Sequence, residues 1–146
     1  MLKLYLDNCC YSRPFDDLEQ EKNNLEAQAI KMIINKFCNN EFMIYTSAAL
    51  EFEMKNTKNV IKKEKVLEIY NKLKLTNIEN SEKIIKRAYE IRKYNIKDMD
   101  ALHIAYAESV NIDYLITTDR LLINASKKAD VKVKLINPIN FIMEVV

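Results

Sequence analysis

Short, nearly continuous apolar segments alternate with longer amphipathic segments along this chain of 146 residues. Continuous apolar strands are typical of a parallel sheet covered on both faces, and their alternation with helices predicts right-handed crossovers. The length is that of one domain. The sequence therefore predicts a single α/β domain, residues 1–146, with three layers, α/β/α, around a central parallel sheet of four to five strands. The strand segments are Leu2–Leu6, Phe42–Thr46, Tyr114–Thr117 and Val131–Ile136, with Leu75–Ile78 as the short fifth.

Residues that favour helix ends set the expected helix boundaries. Ser47 is placed to cap the helix that follows the second strand, and Asn137 is placed to cap the last one. Asp98 is interpreted in the same way, as the N-cap of an unusually apolar helix. The segment between the first strand and the first helix, Cys9–Asp17, is predicted to be a turn because of its Arg-Pro pair.

The composition excludes several classes of function. The chain has no glycine, so it cannot contain a glycine-rich phosphate loop or the nucleophile turn of serine hydrolases. One histidine and three scattered cysteines do not make a zinc site, and the thiols are predicted to be reduced and partly buried, with Cys9 and Cys10 in the core. The net charge of +2 indicates that any contact with nucleic acid is a local patch.

The apolar segments are too short to cross a membrane. None approaches the roughly 18 to 20 residues that a bilayer requires, and Asp7 comes too early for a signal peptide. We therefore expect a cytoplasmic protein without a membrane segment.

Six carboxylates lie near the junctions between the predicted elements. Two of them, Asp7 and Asp119, directly follow strands, and the carboxyl ends of parallel strands meet at one edge of the sheet, where α/β sites lie. The other four are Glu51, Glu53, Asp98 and Asp100. Such acids repel one another unless a divalent cation neutralises them. Oxygen ligands suit Mg²⁺ or Mn²⁺, which can activate a water for attack on a phosphodiester.

Helix geometry limits how many of these acids can share one metal. Residues two apart lie about 200° apart around a helix, so only one of Glu51 and Glu53, and one of Asp98 and Asp100, can face it. The capping role assigned to Asp98 leaves Asp100 for the cluster. Spacing alone does not decide between the two glutamates. Any single acid of this kind is commonly a turn former or a helix cap, so the prediction depends on four occurring together.

Four segments, LYLDNCC, TSAALEFEM, DMDALHIAYAE and YLITTD, together resemble the acidic motifs of PIN-domain ribonucleases in order and spacing. The resemblance covers nearly the whole chain, and the length is similar to that of the toxin members of toxin-antitoxin pairs. It implies that Asp7, Asp100 and Asp119 bind Mg²⁺ or Mn²⁺. The family has a glutamate six positions after the hydroxyl residue that ends the second strand, which selects Glu53 over Glu51. Thr117 resembles a family hydroxyl that orients the acids or the attacking water.

The function implied by this resemblance is metal-dependent endoribonuclease activity on an RNA substrate. A small antitoxin protein and a homodimer are the implied partners. The competing hypothesis is a PIN-like module that binds RNA or protein without cutting. A receiver-like phosphotransfer domain is disfavoured because Asp7 has no second acid beside it.

Several further residues have both a functional and a structural interpretation. Asn8 is either a support for Asp7 or a turn residue, and His103 is more typical of a packing residue than of a catalytic one. Tyr11 and Arg13 could stack on or clamp a nucleotide. The lysines of one helix could receive an RNA backbone, although a solvated face is the commoner interpretation of such a run; they are Lys58, Lys62, Lys63 and Lys65.

Overall fold

The computed structural model describes residues 1–146 and contains one sheet of five parallel strands. The strands are β1 (Leu2–Leu6), β2 (Phe42–Thr46), β3 (Thr76–Asn77), β4 (Tyr114–Ile116) and β5 (Lys134–Ile136). Their order in the sheet is β3-β2-β1-β4-β5, and every neighbouring pair is parallel. The predicted three-layer α/β/α fold is confirmed, and the last predicted strand is shorter than expected.

Eight α-helices connect and cover the strands. They are α1 (Asn8–Ser12), α2 (Glu21–Cys38), α3 (Ala48–Lys55), α4 (Val60–Lys72), α5 (Glu82–Arg92), α6 (Asp98–Ser109), α7 (Arg120–Lys128) and α8 (Pro138–Val145). None of them has the length and hydropathy that spanning a lipid bilayer would need.

Alternate side chains of the strands enter two separate cores. Leu4 and Leu6 of β1 join a buried cluster with residues of α2, α4 and α8. Tyr5, between them, joins a second cluster with residues of α5 and α6 on the opposite face. The sheet is therefore buried on both faces, which explains why its strands are apolar at nearly every position.

Two local predictions are wrong. The segment Cys9–Asp17 is not a simple turn, because it contains α1 and a 3₁₀ turn at Arg13–Phe15. Five helical residues are too few to show a helical period in the sequence, so the signal for α1 is its cap at Asp7 alone. Asp98 is not an N-cap: Lys97 precedes the helix, and Asp98 is its exposed first residue, paired with Arg92. The predicted caps Ser47 and Asn137 do accept backbone N–H bonds.

Asparagine supplies the backbone conformations for which most chains use glycine. Asn40, Asn95 and Asn111 have φ angles of 62°, 66° and 57° and follow the ends of α2, α5 and α6. Asparagine tolerates this left-handed region better than other residues with a β-carbon. A chain without glycine can therefore still end its helices sharply.

The sheet order places the ends of β1 and β4 side by side, and Asp7 and Asp119 follow these two strands. The order in which strands are added to the sheet reverses at β1. From β1 the chain first adds β2 and β3 on one side, and later adds β4 and β5 on the other. Asp7 directly follows β1 and donates its backbone N–H to the Ile116 carbonyl of β4 at 2.9 Å. Such a switch point opens a crevice beyond the carboxyl ends of the strands, where ligands bind in open α/β sheets.

Candidate active site

The carboxylate of Asp7 is buried and held at both oxygens. It is 8% exposed. Its Oδ1 accepts the Asn8 backbone N–H at 2.8 Å and so caps α1, while its Oδ2 accepts the Thr117 hydroxyl at 2.9 Å. The side chain of Asn8 makes no hydrogen bond within the protein, so Asn8 bonds to Asp7 only through its backbone N–H.

Thr117 links the ends of β1 and β4. Its hydroxyl is fully buried, donates to Asp7 and also accepts the Asp119 backbone N–H at 3.2 Å. Asp119 is exposed and caps α7 by accepting the Leu122 N–H at 3.1 Å through Oδ1. Its Oδ2 has no hydrogen-bond partner in the protein, so this oxygen is free for a ligand.

A buried hydrogen-bond chain leads from Ser47 to Glu53. The Ser47 and Tyr5 hydroxyls are 2.7 Å apart, and the Tyr5 hydroxyl lies 2.6 Å from Nδ1 of His103. On the other side of the ring, Nε2 of His103 bonds Oε1 of Glu53. This series of hydrogen bonds joins β1, α3 and α6. It holds Oε1 of Glu53 and leaves Oε2 without a partner.

The charges around His103 change how it titrates. Burial lowers the pKa of His103, but the hydrogen bond to Glu53 and the negative charges of Asp7, Glu53 and Asp100 outweigh burial, so the net pKa is raised. Burial also raises the pKa of Tyr5, which therefore stays protonated. Both ring nitrogens of a protonated His103 are donors, so Nδ1 donates to the Tyr5 oxygen and the Tyr5 hydroxyl donates to Ser47. Protonated His103 partly neutralises the acids around it.

Asp100 shows most clearly that the acids converge. Its pKa is raised to about 6, first by burial and then by the charge of Asp7, with further contributions from Asp119 and Glu53 and an opposing one from His103. It lines a cleft of about 170 Å³ together with Asp119. All four carboxylates that the sequence motifs select therefore influence one site.

The donor set fits a hard divalent cation. Asp7, Glu53 and His103 each offer one ligand atom, and these atoms lie within 4.8 Å of one another. Asp100 and Asp119 lie outside this tight group, on the adjoining cleft. Carboxylate oxygens are the ligands that suit Mg²⁺ and Mn²⁺. Both ring nitrogens of His103 are engaged within the protein, Nε2 with Glu53 and Nδ1 with Tyr5.

Glu51 points away from this site. Its Oε1 accepts the Tyr70 hydroxyl of α4 at 2.8 Å, and burial together with Glu51 raises the pKa of Tyr70 to about 12, although a hydrogen bond with Thr46 opposes the rise. The two glutamates of α3 thus lie on different sides of the helix, as their spacing requires.

The residues proposed to contact a nucleotide are used inside the fold. Tyr11 is 2% exposed and packs edge-on against Tyr70 at 6.0 Å, so the idea that it stacks on a base is wrong. Arg13 pairs with Asp16 at 2.8 Å and with the buried Glu26 at 3.2 Å. The guanidinium therefore neutralises carboxylates near the start of α2 and does not reach the acid cluster.

The lysines on α4 and the cysteines follow no single pattern. Lys62 pairs with Asp16, Lys65 lies over the Phe15 ring at 5.8 Å, Lys63 is half-buried, and Lys58 is exposed just before α4. Cys10 is buried as expected and Cys38 is exposed. Cys9 is only half-buried and lies in the site: its Sγ is 3.5 Å from Oδ2 of Asp7 and 3.5 Å from Oγ1 of Thr117.

His103 and Cys9 both lie in the site, although the sequence favours a packing role for each. A usable signal for His103 is its position three residues after Asp100, because residues three apart lie on the same face of a helix. Cys9 has no comparable signal, since its contact with Thr117 crosses 108 residues of sequence.

Comparison with known proteins agrees with this geometry. The family model of the PIN domain matches residues 5–128, which include all four carboxylates. No curated protein matches the chain.

Three solved structures share the fold. VapBC2 from Rickettsia felis, bound to a promoter DNA fragment, has a TM-score of 0.57 and 18% identity over 93% of this chain and 98% of that chain. PAE2754 from Pyrobaculum aerophilum has a TM-score of 0.58 and 14% identity over 98% and 88%. VapBC-1 from nontypeable Haemophilus influenzae has a TM-score of 0.57 and 13% identity over 94% and 98%.

These identities are low, so the solved structures establish the fold alone. The family rests on the match over residues 5–128, and it confirms the resemblance seen in the acidic motifs. The chain belongs to the PIN domain family.

Proposed function

We propose that this protein is a Mg²⁺- or Mn²⁺-dependent endoribonuclease that acts in the cytoplasm as the toxin of a toxin-antitoxin pair. The observation that carries the proposal is the convergence of Asp7, Glu53, Asp100 and Asp119, whose mutual repulsion helps raise the pKa of Asp100 to about 6. Acids arranged in this way need a cation to hold them together. Membership of the PIN family supports the same conclusion.

Following the family resemblance, Asp7 would hold the cation together with Asp100 and Asp119, which line the adjoining cleft. Bound there, it would activate water and neutralise charge on the phosphodiester. Thr117 keeps Asp7 in its orientation through the 2.9 Å hydrogen bond, and the backbone N–H of Asn8 holds the other oxygen. The first acid is therefore preorganised before substrate arrives.

Glu53 has a different role in this proposal. His103 holds its Oε1, which leaves Oε2 to accept a proton from the attacking water. The water oxygen then bonds to phosphorus, and the bond from phosphorus to the leaving ribose oxygen breaks. The leaving oxygen takes up a proton from solvent, and Glu53 releases its own proton to solvent. No covalent enzyme intermediate is needed.

The test is cleavage of labelled single-stranded RNA in EDTA, Mg²⁺ or Mn²⁺, with Glu53→Gln and Glu51→Gln as a matched pair on α3. We expect cleavage only with metal, a loss of roughly 100-fold or more for Glu53→Gln, and less than about a threefold change for Glu51→Gln. Cutting in EDTA would contradict the metal mechanism. Equal losses in the two variants would contradict the assignment of Glu53.

The proposed partners are an antitoxin and a second copy of the chain. The toxin resemblance supports the first, and fold similarity to the two VapBC structures is consistent with it. We expect a small protein to co-purify with the untagged chain from its own cells and to suppress cleavage. Light scattering should give a dimer mass. Purification without any companion, from cells where a short reading frame does not adjoin the gene, would count against the antitoxin.

A further inference from the structure

A second cleft opens beside the acids, and its charge is opposite to theirs. It has a volume of about 420 Å³, and its walls come from the start of α2, the end of β4, helix α7 and the start of α8. The polar side chains that matter here are Lys22, Thr118, Arg120, Asn124, Lys127 and Asn140. We call this the basic cleft. No carboxylate lines it.

The three cations of the basic cleft are unpartnered. Lys22, Arg120 and Lys127 are exposed, and none of them forms an ion pair or a side-chain hydrogen bond within the protein. Glu21, the residue before Lys22 in α2, is exposed and forms no ion pair, and Glu26, one turn further along, is fully buried, pairs with Arg13 and accepts a hydrogen bond from Asn137 of the cleft lining. Their positive charge is therefore available to a ligand.

Helix α7 presents the cleft residues as one stripe. Arg120, Asn124 and Lys127 are spaced four and three residues apart, which places them on the same face of the helix. Lys22 and Asn140 reach the cleft from two other helices. Donors from three helices thus converge on one space.

The basic cleft adjoins the acid cluster through the chain itself. Asp119 lies between Thr118 and Arg120, and both of these neighbours line the cleft. The acids lie where β1 and β4 end, and the cleft lies where β4 and β5 end, so both are on the same edge of the sheet. A strand of nucleic acid crossing this edge would meet the acids and the cations within a few residues of each other.

We propose that the basic cleft binds the phosphodiester backbone of the strand that the acids cleave, and so holds that strand across the active site. The ligand is a single-stranded nucleic acid recognised through its phosphates. The assignment of this strand as substrate rests on the proposed nuclease function. The binding of nucleic acid to the basic cleft does not depend on that function.

The lining favours phosphate over an acidic protein segment. Lys, Arg, Asn and Thr side chains supply most contacts to nucleic-acid backbones, and such side chains make up the cleft. Protein interfaces bury an apolar core, whereas Ile123 and Ile139 are the only apolar residues among the nine that line the cleft. Because phosphates carry no base identity, we expect binding with little sequence preference.

The experiment is binding of a fluorescent 20-nucleotide RNA, and of DNA of the same sequence, followed by anisotropy in EDTA at several salt concentrations. The variant combines Lys22→Gln, Arg120→Gln and Lys127→Gln. The matched control combines Lys83→Gln, Lys86→Gln and Lys132→Gln, which changes the net charge equally. Lys83 and Lys132 line a different cleft, beside the end of α6.

We expect the cleft variant to bind RNA and DNA at least about tenfold more weakly at low salt, and to lower the slope of log affinity against log salt by about 2, since each phosphate contact contributes about 0.7. The control variant should change affinity less than about twofold. Unchanged binding in the cleft variant, equal losses in both variants, or no binding by the unmodified chain would overturn the proposal. A polyglutamate peptide, measured in the same assay, serves as a model of an acidic protein segment. A cleft variant that keeps RNA binding but loses binding of this peptide would also overturn the proposal, because the cleft would then take a protein ligand.

These outcomes separate the cleft from the nuclease proposal, because EDTA prevents metal-dependent cleavage. Loss of binding in the cleft variant, from a chain that never cuts RNA, would support the cleft and reject the nuclease. Metal-dependent cutting with unchanged binding in the variant would do the reverse.

Discussion

Replacing Asp7 with Asn should abolish metal-dependent RNA cleavage, by roughly 10³-fold or more, because it removes the most buried carboxylate of the site. The fold should survive. Asn is as good an N-cap as Asp, so its amide oxygen can still accept the Asn8 N–H that Asp7 accepts at 2.8 Å. The Thr117 hydroxyl can rotate to accept from the new amide. Cleavage of labelled RNA in Mn²⁺ measures the loss.

Asp98→Asn is the matched control for this prediction. This substitution makes the same chemical change as Asp7→Asn, but at an exposed residue that pairs only with Arg92. We expect it to retain cleavage within about threefold, and both variants to keep a cooperative thermal transition. Full activity in Asp7→Asn would refute the metal-cluster mechanism.

Replacing Asp100 with Asn should stabilise the metal-free protein while it abolishes cleavage. The folded-state pKa of Asp100 is about 6, above the ordinary value of 3.8, so the folded protein holds its charged form at a cost. This penalty is present above pH 6 and disappears as the pH falls toward 4. Since the group is partly solvated, we expect a gain of about 1–2 kcal/mol at pH 7.5 in EDTA, which corresponds to roughly 3–6 °C in Tm.

In Mn²⁺ the unmodified chain should be more stable than Asp100→Asn, the reverse of the order expected in EDTA. A cation bound to the folded protein stabilises it by mass action, and the variant lacks one of the proposed ligands. Thermal unfolding of the unmodified chain, Asp100→Asn and Asp98→Asn, at pH 7.5 and pH 5 with EDTA or Mn²⁺, measures both effects. Asp98→Asn should stay within about 0.5 kcal/mol of the unmodified chain. A destabilised Asp100→Asn in EDTA would show that the acids do not repel one another.

Local features single out the acids at the ends of strands and helices, and the family motifs complete the set of four. Asp7 and Asp119 follow apolar strands, and parallel strands end at one edge of a sheet. Asp100 lines the cleft beside Asp119, whereas Asp98 pairs with Arg92 and is not the cap that the sequence predicts. Helical spacing separated Glu51 from Glu53 without saying which one faces the site, and the family motif selected Glu53.

The supporting residues could not be predicted, because their contacts are distant in sequence. His103 meets Tyr5 across 98 residues and Glu53 across 50. A lone histidine in an apolar helix has no pattern that reveals such partners. The basic cleft draws its donors from several separate segments, none of which is unusually basic alone.

The sequence by itself therefore determined the layered fold, the edge of the sheet that holds the site and the acids there, since apolar periodicity and residues at strand ends act locally. The tertiary structure decided which side chains support those acids, that Tyr11 is buried, and that cations from two helices face one cleft. These outcomes depend on how helices pack across the sheet. Packing between distant segments leaves no periodic signal in a single sequence.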